Sequence, residues 1–389
     1  MIQLGNSDIV QLTAFRRELH RFPEVSGQEE ATARRVVAAL RGTGPDRIVT
    51  GLGGHGVAAV YEGTSEGPSV LVRCELDALP IEELSAAAHR STVPGTGHLC
   101  GHDGHMAVLM GVARVLGRSR PEHGRIVLLF QPAEEDGSGA AKVLADPQFE
   151  ALRSDYALSL HNMPGMPLGQ VALAAGPMNC ASRGALIRLR GRTAHASMPE
   201  TGLSPMVALS RLMPALTALG QGSGPSDPGF RLVTVTHARL GEPAFGIAPG
   251  EAELWATLRT TRDEDMAALV AAVEELVLEM GAGLVPEIGY HDVFRACGNH
   301  PEATDILARA LTAEGVSWDA GDLPMRASED FGRFGDVSKS AMFLLGAGEE
   351  TPALHNPDYD FPDELIPLGA GIFLAALAQV PGIGGFKPV

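Results

Sequence analysis

Residues 106–136 read MAVLMGVARVLGRSRPEHGRIVLLFQPAEED, and the fold is decided there. Met106–Leu116 has the apolar spacing of a helix. A turn-rich stretch follows, then Ile126–Phe130, a short unbroken apolar run. Runs that short, without polar alternation, suit strands buried on both faces of a mainly parallel sheet. Three more lie nearby: Val57–Tyr61, Val70–Val72 and Tyr156–Leu160. Upstream, Ala33, Val36, Val37 and Leu40 share one helix face, and Ser26-Gly27-Gln28-Glu29 reads as the capping box that starts it. Helices alternating with buried strands predict an α/β domain.

The character changes near residue 180. Ala185–Arg190 precedes a loop and a helix-like stretch, Pro205–Leu219. Leu232–Ala238 and Glu251–Thr260 then read as strands. In the latter, Ala252, Leu254, Ala256 and Leu258 share one face, as in a half-buried antiparallel strand. Gln221–Gly229 reads as a loop between them. A helix over Met266–Met280 and a strand near Ile288–Phe294 complete a small α+β unit. After residue 298 the alternation returns, with helix Thr304–Glu314, strand Met342–Leu345 and helix Leu365–Gln379. The expected organisation is one α/β domain, residues 1–179 and 298–389, interrupted by an inserted α+β domain, 180–297. The last eight residues, GIGGFKPV, are expected to fray.

At roughly 150 residues per domain, 389 residues suit two or three domains. A net charge of -17 argues against a nucleic-acid or anionic-membrane partner, which needs clustered Lys and Arg. The few lysines, Lys142, Lys339 and Lys387, lie outside every motif below, which disfavours Schiff-base chemistry. Cys74, Cys100, Cys180 and Cys297 are too sparse for a disulfide framework. The N-terminus has no basic signal-like region, and no run approaches the roughly 18 apolar residues of a spanning helix. A soluble cytoplasmic protein is the expectation.

The densest chemistry is His98-Leu99-Cys100-Gly101-His102-Asp103-Gly104-His105. On an extended segment Cys100 and His102 would point the same way, and thiolate with neutral imidazole suits zinc and similar divalent metals. The plain alternative is a polar loop with satisfied histidines. Gln131-Pro132-Ala133-Glu134-Glu135-Asp136-Gly137 follows a strand directly, where sites collect in open α/β sheets. On an extended stretch one glutamate could bind a metal while its neighbour faces a water. Alone, this stretch reads more readily as a solvated acidic turn. His161, ending the strand Tyr156–Leu160, and His355, after the Gly346–Gly348 turn, are each weak signals. Convergence strengthens them, because three of the four features follow strands of one sheet. Gly191–Ser197, with His195, and Ser328-Glu329-Asp330-Phe331 are uninformative by themselves. Gly51-Leu52-Gly53-Gly54-His55-Gly56 fits a dinucleotide fingerprint, but a strand rather than a helix follows it, so it reads as a glycine turn. Cys74, Cys180 and Cys297 read as buried packing residues.

Taken together, the chain resembles the amidohydrolase branch of the dinuclear-metal aminoacylase and carboxypeptidase family, which includes hippurate hydrolases, auxin-conjugate (IAA-amino acid) hydrolases and N-acetyl-diaminopimelate deacetylases. The resemblance runs through RRELHRFPEVSGQE (16–29), RCELDALP (73–80), HLCGHDGH (98–105), FQPAEED (130–136), LHNMPGMPLG (160–169), GRTAHASMP (191–199), SEDF (328–331) and LHNPDYDFPDE (354–364). It implies a zinc-exopeptidase-like catalytic domain with an inserted dimerisation domain. It also implies metal ligands Cys100, His102, Glu135, His161 and His355, with Glu134 as catalytic base. His195 is implied to reach an active site from the inserted domain, often the partner subunit's. Asp103 and His105 are candidates to orient the ligands, and Glu75, Asp77 and Glu329 to support them or the substrate. Two positions depart from the family pattern, Glu75 in place of Asp and Gly246 in place of a frequent Asn.

The resemblance predicts two divalent ions per subunit, drawn from zinc, manganese, cobalt or nickel. The predicted reaction is hydrolysis of a small N-acyl amino acid by a homodimer or higher homo-oligomer. Three alternatives stand beside it: a metal-dependent dipeptidase or carboxypeptidase on the same site, an inactive binding protein of the same fold, and a thiol hydrolase with Cys100 as nucleophile.

Overall fold

The computed structural model describes residues 4–389. Its chain divides into two compact units. The first holds Met1–Met178, Gly298–Leu323 and Asp330–Val389, the second Asn179–Cys297 and Pro324–Glu329.

An eight-stranded sheet organises the first unit. Its centre is parallel: Ser65–Glu75 pairs with His123–Gln131 and with Tyr156–Pro164, which pairs in turn with Lys339–Gly348. These are the predicted apolar runs, and their middles are buried on both faces. The hairpin Arg47–Leu52 and Gly56–Glu62 adds one antiparallel edge, and the glycines at 51–56 are its turn. Short strands Val171–Ala172 and Trp318–Asp319 complete the other edge. Helix His102–Arg118 is buried along almost its whole length, with Leu12, Leu19, Leu365, Phe373 and Leu377 in the same core. Because the four central strands run the same way, the segments following Glu75, Gln131, Pro164 and Gly348 leave from one edge of the sheet, with His161 near the end of its strand.

The second unit is a four-stranded antiparallel sheet in the order Arg231–Leu240, Glu251–Thr260, Ala181–Arg190, Val285–Phe294. Ala252, Leu254, Ala256 and Leu258 are buried, as the alternation predicts. They pack with Leu209, Leu212 and Leu216 of helix Met206–Thr217 and with Leu269, Val273 and Val277 of helix Asp263–Met280. The Gln221–Gly229 loop is closed by paired backbone hydrogen bonds between Gln221 and Arg231.

Two local expectations fail. Ser26 and Glu29 do not cap helix Glu30–Arg41: the Ser26 hydroxyl donates to Asp77, and Glu29 accepts from the Gly27 and Ala133 amides. The C-terminal residues do not fray. Ile383 is fully buried, and Phe386–Pro388 pairs antiparallel with Ser119–Pro121. Among the described residues no helix is long and apolar enough to cross a membrane. All four cysteines are buried, and none is joined in a disulfide.

Candidate active site

The segments leaving the parallel strands bring the predicted ligands together. The candidate ligand atoms of Cys100, His102 and His161 lie within 4.8 Å of one another, as do those of Cys100, Glu135 and His355, and of His102, Glu134 and Glu135. Cys100 and His102 converge because Gly101 turns the chain at φ 92° into helix His102–Arg118, not by strand alternation. Only glycine fits that turn: a Cβ there would sit 2.3 Å from Asn162 Oδ1. Glu134 and Glu135 also lie in a turn rather than an extended stretch. Ala133 before them has φ 51° and His355 has φ 67°. Left-handed backbone at non-glycine residues is costly and clusters at functional sites.

Two of the candidate ligand histidines have their tautomers set by backbone carbonyls. His102 Nδ1 donates to the Asp77 carbonyl at 2.9 Å, and His161 Nδ1 donates to the Asn162 carbonyl at 2.8 Å. The neutral form of each then presents its lone pair at Nε2. Nε2 of His161 faces Cys100 Sγ at 3.5 Å. Nε2 of His102 is buried with no hydrogen-bond partner and lies 3.8 Å from Glu135 Oε1. His355 Nε2 lies 3.8 Å from Glu135 Oε2.

The electrostatics fit a divalent cation. Burial opposes a charge on His102, yet the Asp77 carboxylate, its Oδ1 3.7 Å from Nδ1, with Glu75 and Glu135, pushes it up to about 10. That field holds either a second proton or, in its place, a cation, and ligand protons and metals compete for such sites. Burial, then Glu135 and Glu134, push the Cys100 thiol well above its ordinary range, so a thiolate here needs a cation beside it. Burial, then repulsion from His105 and His102, holds His161 down to about 3, neutral and ready to ligate. Burial and His102 lower His355 as well.

Around this cluster the remaining candidates of the first unit form buried hydrogen-bonded chains. Glu75 accepts from Arg73 and, at 2.6 Å, from His105 Nδ1. Burial is outweighed by these partners, so its carboxyl stays well below the usual range. The extra methylene relative to Asp is thus taken up in bridging two donors. His105 Nε2 lies 2.6 Å from Asn162 Oδ1, and Asn162 also meets the Tyr359 hydroxyl at 2.5 Å. Asp103 accepts from Arg16 at 3.2 Å and from His20 at 2.9 Å. Arg73 also reaches Asp330 at 2.6 Å, and Asp330 accepts from Gln131 and the Ala140 amide.

His195 and Glu329 belong to the second unit. His195 is exposed on a two-residue strand paired with Ile247–Ala248. The Ser197 amide donates to its Nδ1 at 3.2 Å, which leaves the neutral ring's proton on Nε2. Glu329 is buried. Gly246 is exposed, and a Cβ there would meet nothing within 4 Å.

Arg16, His20, Arg73, Asn162, Asp330 and Tyr359 were not singled out from the sequence. One signal was available for the first two. Leu12, Arg16, Leu19 and His20 share one buried face of helix Asn6–Arg21, so two ionisable residues interrupt an apolar stripe. Such residues require buried partners. Asn162 and Tyr359 carry no comparable local signal.

Residues 71–379 match the family model for Peptidase family M20/M25/M40. Over 367 residues the chain is 31% identical to the hippurate hydrolase of Campylobacter jejuni, covering 92% of this chain and 93% of that protein. Over 370 residues it is 29% identical to thermostable carboxypeptidase 1 of Saccharolobus solfataricus, covering 91% of each. Among solved structures, the YXEP protein of Bacillus subtilis, a dinuclear metal binding peptidase from the M20 family, superposes with a TM-score of 0.81. That likeness, at 24% identity over 97% of this chain and 99% of that one, shows a shared fold. With four-fifths of its length matched by the family model, this chain is a metal-dependent hydrolase belonging to Peptidase family M20/M25/M40.

Proposed function

We propose that this protein hydrolyses the amide bond of N-acyl amino acids to a carboxylate and a free amino acid. The observation that carries the reading is the meeting of Cys100, His102, Glu134, Glu135, His161 and His355 in overlapping groups, buried at Cys100, His102 and Glu134 and open to solvent at His355. The likeness to a hippurate hydrolase supports the substrate class. In this reading Cys100, His102, Glu135, His161 and His355 hold two divalent ions. When bound, such a pair supplies Lewis acidity and acidifies water.

The chain's own residues do the rest. Glu134 takes the proton of the attacking water and delivers it to the leaving amine nitrogen. The Asp330 amide, donating to Glu134 Oε1 at 3.4 Å, helps hold that carboxylate in place. His195 donates its Nε2 proton to the developing oxyanion. Asp77, His105 and Asn162 hold the ligand-bearing segments through the hydrogen bonds described above.

The deciding experiment pairs metal analysis with rates on an N-acyl amino acid panel, with N-acetyl and N-benzoyl members, against dipeptides. About two ions per chain and faster turnover of the acyl amino acids are expected, since paired metals serve this chemistry. Faster dipeptide cleavage would favour the second reading, a dipeptidase or carboxypeptidase, which the likeness to thermostable carboxypeptidase 1 keeps in view. Bound metal without hydrolysis of either class would indicate an inactive binding protein. Activity that survives complete chelation would indicate a thiol hydrolase acting through Cys100.

A further inference from the structure

Ser26 and Glu29 look in sequence like the start of a helix, yet both side chains turn toward the loop that carries Glu134. Glu29 is fully buried. Its Oε1 accepts from the Ala133 amide at 2.8 Å and from the Gly27 amide at 2.9 Å. Ala133 is the residue held at φ 51°, immediately before Glu134. On the other side of Glu134, the Glu135 amide donates to Asp77 Oδ2 at 3.0 Å. The same oxygen accepts from the Ser26 hydroxyl at 2.7 Å. Glu134 is therefore bracketed by two backbone amides, each pinned to a buried carboxylate, and the segment 26–29 serves both.

Left-handed backbone at alanine is unfavourable by about 1–2 kcal/mol and persists only where surrounding structure enforces it. Three constraints act on this loop. The Ala133 carbonyl accepts from the Gly139 amide at 2.8 Å, the Gly137 amide donates to the Glu134 carbonyl at 2.8 Å, and Glu29 holds the Ala133 amide. At Ala133 itself, the last is a side chain reaching in from a distant segment, as Asp77 does at Glu135. Without it the alanine is released toward negative φ, and the direction in which Glu134 leaves the backbone changes.

We infer that Glu29 is a positioning residue: it fixes the left-handed Ala133 and so aims the Glu134 carboxylate for proton transfer. This rests on Glu134 being the base. Glu134→Gln tests that premise separately, since an active Gln variant removes the premise, whereas the variants below test Glu29 alone.

What Glu29 must provide is an oxygen acceptor at the right reach. Glu29→Gln keeps that oxygen and loses the charge; Glu29→Asp keeps the charge and loses the reach. With the best N-acyl amino acid of the panel, kcat of the Gln variant should stay near wild type. That of the Asp variant should fall by up to about 10²-fold, the size of effect a small misplacement of a catalytic group produces. KM and bound metal should change little in either. Adding Ala133→Gly to Glu29→Asp should restore part of the lost kcat, because glycine adopts positive φ without enforcement. A role confined to stability would instead lower the melting temperature without splitting kcat from KM, and glycine would rescue nothing. The inference is overturned if the Asp variant keeps full kcat, if the Gln variant is as slow as the Asp variant, if the loss appears as missing metal, or if Ala133→Gly gives no recovery. Should Glu29→Asp fail to fold, the melting temperatures and kcat of Glu29→Gln and Ala133→Gly/Glu29→Gln decide. A Gln variant that folds but loses kcat, with no gain from the glycine, overturns it, and a fully active one supports it.

Discussion

Glu134 and Glu135 are chain neighbours with the same side chain, and the structure gives them different company. Glu135 faces His102 and His355, while Glu134 receives the Asp330 amide. Removing the charge from Glu134 should therefore act on proton transfer rather than on metal. Glu134→Gln is expected to lower kcat by about 10²–10⁴-fold while bound metal stays at the wild-type level. Full activity, or loss of the metal, would contradict the assignment. Cys100 makes a different prediction. Replacing its sulfur by oxygen in Cys100→Ser should weaken zinc more than manganese, because thiolate favours the softer ion. Competition titrations with the two metals read this directly, and an unchanged preference would remove Cys100 from the ligand set. His20 sets a pH dependence. Burial disfavours its charge, but Asp103 and Glu83 overcome that and push it up to about 10. A folded value above the unfolded one, about 6.5, gives stability fully present below pH 6.5. That contribution is lost as the pH rises toward 10. Denaturant melts from pH 6 to 10 should show stability falling in wild type and a shallower slope in His20→Gln.

Elements were legible where their signals are local. The apolar runs 126–130 and 156–160 became central parallel strands, and 57–61 a buried antiparallel strand toward one edge, because burial on both faces demands unbroken apolar sequence. Alternation in Glu251–Thr260 likewise gave its buried face. What stayed hidden depends on partners far along the chain. Ser26-Gly27-Gln28-Glu29 satisfies the capping pattern, but Asp77 and Ala133 take its polar groups, and no local rule contains them. The tail is similar: a glycine-rich end predicts fraying, while pairing with Ser119–Pro121 prevents it. Deleting residues 382–389 removes that pairing and the fully buried Ile383. A cost of about 2 kcal/mol is expected from the lost apolar burial, measurable by urea unfolding. An unchanged midpoint would show that the tail contributes nothing.

For the whole molecule, Cys100 and His102 stood out in a dense motif, whereas Glu134, Glu135, His161 and His355 were weak signals alone and joined them through convergence and the family resemblance. Their supporting residues were less so, because Arg16, Asn162 and Tyr359 gain meaning only when distant segments meet. A homodimer through the second unit remains our proposal. Its sheet ends in the edge strands Arg231–Leu240 and Val285–Phe294, and light scattering after size exclusion tests it as a doubled mass. An ion bound only by the folded chain adds to stability by mass action. Chelation should therefore lower the melting temperature along with activity, and both should return when metal is restored. A melting temperature indifferent to chelation would separate the cluster from metal binding.

Parallel pairing of Tyr156–Pro164 with Lys339–Gly348 also has a consequence in time. His161 is made early, but His355, which like His161 lies beside Cys100, is translated roughly 190 residues later, about 10–40 s at common ribosomal rates. A nascent chain passes that interval with an incomplete set of donors, while the whole second unit is synthesised. Completion of the candidate centre thus waits for His355 to be made and for Lys339–Gly348 to return to the sheet beside Tyr156–Pro164.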